Sequence, residues 1–209
     1  KKEILECTEE QYKALDEMAD NRKICFLGPA GTGKTWLAME AARRAAAAGE
    51  KTLVLCFNRP LAGYLEKSLA THANIKVKTL HSLLTEISPR NSVDKQTKYD
   101  KYWKEELPNQ ALHSLEVMSE DTRSKYRFKT LILDEVQDLL NDNYLIVLNE
   151  LIDGGLDHGR TLWFGDLEYQ DIYSRSQKSP KEILHEQVSP AFRKLHVNCR
   201  NVLPIGENA

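Results

Sequence analysis

Residues Gly28–Thr35 read GPAGTGKT and follow the apolar run KICFL. Glycines at 28, 31 and 33 allow a loop whose amides turn inward with no side chains blocking the approach. Where such a loop opens a helix it forms an anion cradle suited to nucleotide phosphates, here with Pro29, Ala30 and Thr32 between the glycines. The spacing GxxxxGK[ST] gives Lys34 a reach to the β- and γ-phosphates and offers the Thr35 hydroxyl to Mg²⁺. A second stretch, LILDEVQD at Leu131–Asp138, is an apolar run ending in adjacent carboxylates. Asp134 at the tip of such a strand stands beside the cation, and Glu135 is placed to orient or deprotonate an attacking water. The two stretches together imply an Mg²⁺-dependent nucleoside triphosphatase.

Positioning these groups requires strands that end at the loops and helices that begin there. Lys23–Leu27, Thr52–Phe57, Ile75–Leu80, Thr130–Leu133 and Thr161–Phe164 are short apolar runs of strand type. Residues 34–48 are rich in strong helix formers and stop at Gly49; further helical patterns lie near Leu61–Leu69 and Tyr144–Ile152. Strands alternating with helices predict an α/β fold with a mainly parallel sheet. Between Leu84 and Phe128 the alternation breaks into a polar stretch with Pro89 and Pro108. Two helices are expected there, around Lys98–Glu106 and Ala111–Met118, as an insertion into the core fold. Arg123, Lys125, Arg127 and Lys129 alternate just before the fourth strand, and an extended segment would put all four cations on one face.

The 209 residues suffice for one substantial domain with a core, or one domain plus a fragment of another. Hydrophobic content of 41% and charged content of 29% are those of an ordinary globular protein, and a net charge of −2 gives no global electrostatic case for nucleic acid or anionic membrane. Cys7, Cys25, Cys56 and Cys199 show no CxxC spacing, which argues against zinc and for buried thiols in a reducing compartment. No run reaches the length of a membrane span, and no signal-peptide pattern opens the chain, so no membrane partner and a cytoplasmic location are expected.

The set LECTEEQ (Leu5–Gln11), GPAGTGKT, VLCFNRPLAGYL (Val54–Leu65), TLHS (Thr79–Ser82), DEVQD (Asp134–Asp138), FGDLEYQDIY (Phe164–Tyr173) and LHVNCRN (Leu195–Asn201) resembles the ordered motifs of UvrD/Rep-type superfamily 1 DNA helicases. The likeness is to the branch often joined to nuclease-related domains. It implies a RecA-like P-loop motor domain over residues 1–83 and 129–193, with residues 84–128 as a reduced helical insertion. Residues 194–209 then start a truncated second motor domain. The resemblance implies ATP and Mg²⁺ as cofactors, single-stranded or partly duplex DNA as partner, the missing C-terminal motor domain in cis, and a nuclease domain or partner. Residue by residue it implies that Gln11 reads the adenine edge, Gln170 couples the γ-phosphate to DNA, and Arg200 reaches the γ-phosphate. Gln170 and Arg200 join Lys34 and Glu135 as the implied catalytic set. Phe57, Asn58, Thr79, His81 and Ser82 match positions lining the single-strand path.

Three departures from the family pattern stand out. Cys199 replaces the aromatic that stacks on adenine, GDLEYQ is one residue longer than the common spacing, and Ser174 and Arg175 stand where relatives place a base-stacking aromatic. A competing expectation is a regulatory P-loop ATPase that does not unwind nucleic acid.

Overall fold

The structure is a computed structural model that describes residues 9–17, 19–88, 99–167 and 179–196. Its elements in chain order are α1 (Glu9–Glu17), β1 (Lys23–Leu27), α2 (Lys34–Ala47), β2 (Thr52–Cys56), α3 (Arg59–Leu69), β3 (Ile75–Thr79) and α4 (Leu80–Ile87). Then come α5 (Tyr99–Lys101), a π-helical turn (Tyr102–Glu106), α6 (Leu107–Val117), α7 (Glu120–Arg123) and a 3₁₀ turn (Ser124–Tyr126). The chain continues through β4 (Thr130–Asp134), a 3₁₀ turn (Val136–Asp138), α8 (Asp142–Leu151), α9 (Gly155–His158), β5 (Arg160–Gly165), α10 (Pro180–Gln187) and β6 (Ala191–Lys194).

The strands form one sheet in the order β3-β2-β4-β5-β1-β6, with every pairing parallel. Alternate side chains leave opposite faces, and both faces are covered, which is why the strands read as unbroken apolar runs. On one face Cys25, Leu53, Leu55, Leu131, Leu133 and Trp163 pack under α4, α6, α8 and α10. On the other, Ile24, Phe26, Val54, Cys56, Ile132 and Phe164 meet α1, α2 and α3, with Phe26 stacked on Phe164 at 5.0 Å between ring centroids. The buried Ala38, Ala42 and Ala45 let α2 lie close against this face. Burial pushes the Cys25 and Cys56 thiols up to about 12, so both behave as apolar core groups.

The α/β P-loop architecture is the expected one, but several boundaries move. The second strand ends at Cys56, leaving Phe57 outside it and 45% exposed. The third ends at Thr79, because the Thr79 hydroxyl accepts from the Ser82 amide at 3.2 Å and caps α4. The segment carrying Arg123, Lys125, Arg127 and Lys129 is not extended throughout: Arg123 ends α7 and Lys125 lies in a 3₁₀ turn, with only Arg127 and Lys129 in the non-helical backbone that follows. Arg123 pairs with Glu150 at 2.7 Å, Arg127 with Glu120 at 3.0 Å and Lys129 with Asp153 at 3.8 Å. Local carboxylates thus answer three of the four cations, and the one-face stripe does not form.

The two helices expected on either side of Pro108 are one continuous run from Tyr99 to Val117. Proline inside a helix removes an N–H and crowds the carbonyl four residues back. Here the helix widens just before it, and the Leu107 amide bonds to Tyr102 O, five residues back. The run packs on α4 and α8 through Leu107, Ala111 and Leu115.

Candidate nucleotide site and its neighbouring edge

The β1 strand delivers the chain to Gly28 at the C-terminal edge of the sheet, where the Gly28 amide donates to Gly165 O at 3.2 Å. A side chain at Gly28 would put its Cβ 2.7 Å from Thr32 Oγ1, so only glycine lets the loop fold this tightly. Gly31 and Gly33 take φ of 92° and 78°, the left-handed region that favours glycine. The Thr32 hydroxyl donates to Pro29 O at 2.9 Å and closes the loop on itself. No side chain caps the first turn of α2, so its leading amides open on a cavity of about 210 Å³ lined by Ala30, Gly31, Gly33, Lys34, Thr35 and Glu135. Trp36, Met39 and Tyr64 form the apolar wall of that cavity. This is the amide arrangement that suits an anion.

Lys34 is buried, and its ammonium donates to Gly28 O at 2.7 Å and Pro29 O at 3.0 Å. The charge therefore sits over the loop it would serve. Gln11, on α1, is 1% exposed and its Nε2 donates to Thr32 O at 2.8 Å. In this state Gln11 braces the loop from behind.

β4 brings Asp134 to the same edge, fully buried. Its Oδ1 accepts from the Glu135 amide at 3.1 Å, while Oδ2 has no hydrogen-bond partner among the described residues. Burial pushes the Asp134 carboxyl up to about 6; the Thr35 hydroxyl and the Lys34 charge act against that rise, and the Glu135 charge adds to it. Asp138 is raised too, by burial first and then by the Glu135 charge.

Glu135 has φ 55°, a left-handed backbone for a residue with a side chain. Such strain costs on the order of 1–3 kcal/mol and recurs at functional sites. Gln137 holds the side chain in place: its Nε2 donates to Glu135 Oε2 at 2.7 Å, and its Oε1 accepts from the Asp166 amide at 3.3 Å. A Cβ at Gly165 would lie 2.7 Å from that Oε1, so the glycine makes room for the bridge. Gln137 was not among the expected site residues. The signal was its place inside DEVQD, but its partner at the end of β5 is visible only once β4 and β5 are paired.

The expected DNA-path residues lie at and beyond the ends of β2 and β3 on the same edge. Asn58 caps α3 by accepting from the Leu61 amide at 2.8 Å, Thr79 caps α4, and the Ser82 hydroxyl donates to Thr79 O at 2.9 Å. His81 meets three aromatic rings: Trp103 at 4.5 Å, Phe57 at 5.9 Å and Tyr144 at 6.0 Å between centroids. Its Nε2 lies 3.0 Å from the Tyr144 hydroxyl, and burial lowers its pKa, which favours neutral imidazole. Gln170 and Arg200, and with them Ser174, Arg175 and Cys199, lie outside the described residues.

A protein-family model described as an AAA domain matches residues 11–174. The chain belongs to this family. The AAA domain in question is one found in UvrD/Rep-like superfamily 1 helicases, in agreement with the motif resemblance. Solved structures with a similar chain path include a Bacteroides Pif1 bound to ssDNA, at TM-score 0.48 and 18% identity, covering 95% of this chain and 44% of that one. A Pif1 helicase from Candida albicans gives 0.48 and 18%, with 90% and 39% covered. The Pyrococcus furiosus Hef helicase domain gives 0.47 and 12%, with 91% and 39% covered. The chain thus spans less than half the length of each, and likeness this distant decides nothing about its activity. No curated protein matches the chain significantly.

The donor set of this AAA domain fits a divalent cation. Asp134 Oδ2 is a buried oxygen with no partner within bonding distance among the described residues, and the Thr35 hydroxyl acts on the same carboxyl; both are hard donors of the kind Mg²⁺ prefers. Among the described residues no cluster of three or more His, Cys, Asp or Glu could hold a metal by itself. A cation shared with substrate phosphates needs no such cluster. Among the described residues no helix is long and apolar enough to cross a membrane.

Proposed function

We propose that this chain is the ATP-binding motor domain of a DNA helicase or translocase, using Mg²⁺ and acting on single-stranded or partly duplex DNA. The observation that carries the reading is the buried Asp134, whose Oδ2 has no hydrogen-bond partner among the described residues within bonding distance and whose carboxyl feels the Thr35 hydroxyl at the mouth of the glycine loop.

The loop amides and the α2 N-terminus bind the phosphate chain, and Lys34 exchanges its two carbonyl partners for phosphate oxygens. Thr35 and Asp134 would hold Mg²⁺, which would supply neutralisation of charge on the phosphates. Glu135, oriented by Gln137, accepts the proton of the attacking water at Oε1 or Oε2. Gln170 and Arg200 are the proposed partners of the γ-phosphate, and Gln11 contributes to adenine recognition. Phe57, Asn58, Thr79, His81 and Ser82 are proposed to line the DNA path.

The resemblance to superfamily 1 motifs supports DNA as the partner. The test is a coupled ATPase assay, with and without single-stranded DNA, on the chain joined to a second motor domain. DNA-stimulated turnover that Glu135→Gln removes is the expected result. Turnover indifferent to DNA would overturn the translocase reading and leave a nucleotide-dependent regulator.

A further inference from the structure

The helix run over Tyr99–Val117 carries Pro108, which has no N–H to offer the carbonyls four and five residues back, Lys104 and Trp103. Both are taken by α8 instead: Asn143 Nδ2 donates to Lys104 O at 2.9 Å, and the Tyr144 hydroxyl donates to Trp103 O at 3.0 Å. Since a carbonyl only accepts, the single Tyr144 hydroxyl proton is committed to Trp103. The contact of 3.0 Å between that hydroxyl and His81 must then be donated by His81 Nε2–H. In the neutral ring Nδ1 is left as an acceptor. One hydroxyl thereby fixes both the histidine tautomer and the backbone of the neighbouring tryptophan.

The ring surface held this way is continuous. The exposed Phe57 meets His81 edge-on, and His81 lies against the half-buried Trp103. It sits beyond the C-terminal ends of β2 and β3, on the edge that also carries the glycine loop and Asp134. Neutral aromatic faces beside a hydrogen-bond acceptor suit an unpaired nucleobase better than a phosphate.

We propose that Phe57, His81 and Trp103 form a nucleobase-stacking ledge, and that Tyr144 is the positioning residue that sets its geometry. The proposal rests on the DNA reading above. It adds Trp103 and Tyr144, which the motif resemblance does not reach. Because α8 follows directly on the Asp134–Asp138 segment, the same hydroxyl ties the ledge to the chain that carries Glu135.

The experiment measures anisotropy of a labelled oligothymidylate and of an abasic strand of equal length, using wild type, Trp103→Ala, Trp103→Phe and Tyr144→Phe. Trp103→Ala weakens oligothymidylate binding about tenfold and leaves the abasic strand and the salt slope unchanged, while Trp103→Phe recovers most of the loss. Tyr144→Phe costs about threefold on the base-bearing strand alone. It also shifts the His81 ring ¹⁵N signals away from the Nε2–H pattern. Nucleotide affinity at the wild-type level shows that each variant is folded. If wild type binds neither strand, the DNA reading itself is overturned and the base contact with it. If wild type binds both strands equally, or the variants weaken both alike, the ledge is overturned while the DNA reading stands. Unchanged ¹⁵N signals in Tyr144→Phe overturn the positioning role.

Discussion

On the β1 side of the sheet's C-terminal edge, the contiguous run Gly28–Thr35 forms a glycine cradle of inward-facing amides, joined by Asp134 and Glu135 from the end of β4. On the β2–β3 side of that edge, Phe57, His81, Trp103 and Tyr144 come from four separate parts of the chain and meet only after folding. The cradle is made of backbone, so its sequence must permit a particular main-chain path, and glycine at fixed spacing does that. The ledge is made of side chains whose spacing in sequence is arbitrary. Short-range motifs therefore report the main-chain path of such a loop and say little about how an aromatic surface is assembled.

The contrast predicts different penalties on the two sides. The largest belongs to Glu135. Glu135→Gln should keep ATP binding, while turnover of the chain joined to a second motor domain falls by about two orders of magnitude or more in the coupled assay. Unchanged turnover would move the general-base role elsewhere.

Asp134 gives the next effect, through pH. Its carboxyl titrates at about 6 in the fold against an ordinary value of 3.8. A raised pKa means that the folded state holds the proton more tightly. Its stabilising contribution is therefore fully present below 3.8 and lost as pH rises through about 6. Metal-free protein should lose stability from this group between pH 4 and pH 7, and Asp134→Asn should remove that part of the slope in denaturant unfolding. A slope identical in both proteins would contradict the burial argument.

Gly165→Ala comes third. Its new Cβ would press on Val136 and on the Gln137 amide, so about 1–3 kcal/mol of stability should be lost on thermal unfolding. Hydrolysis should fall as well, because the bridge to Glu135 shifts. The smallest effect is expected at Pro108. Pro108→Ala restores an N–H that competes for Lys104 O, while the bonds from Asn143 and Tyr144 loosen. These changes offset each other to within about 1 kcal/mol. A large stabilisation would show that the cross-helix bonds contribute little.

How much was legible follows the same division. The parallel sheet was readable because its central strands are buried on both faces and appear as apolar runs such as TLVLC and TLILD. The cradle and the carboxylates were readable from spacing. β6 was not: AFRK is short and half-exposed, and becomes a strand only by pairing with β1. Gln137 sits within a recognised motif, yet its bridging role depends on Gly165 and Asp166 lying beside it in register. The continuous helix through Pro108 was missed because proline usually ends a helix, and only the widened turn lets this one continue. The cationic stripe failed for the opposite reason. Alternation suggested a strand where Glu120, Glu150 and Asp153 supply local partners and the backbone is helical at Arg123 and Lys125.

In the proposed function the glycine loop and its lysine form a nucleotide site completed by a divalent cation. Isothermal titration of ATP into wild type and Lys34→Ala, with and without Mg²⁺, tests it most directly. Binding by wild type that requires Mg²⁺, and no detectable binding by Lys34→Ala, is the predicted result. Equal affinity in the two proteins, or wild-type affinity indifferent to Mg²⁺, would contradict it.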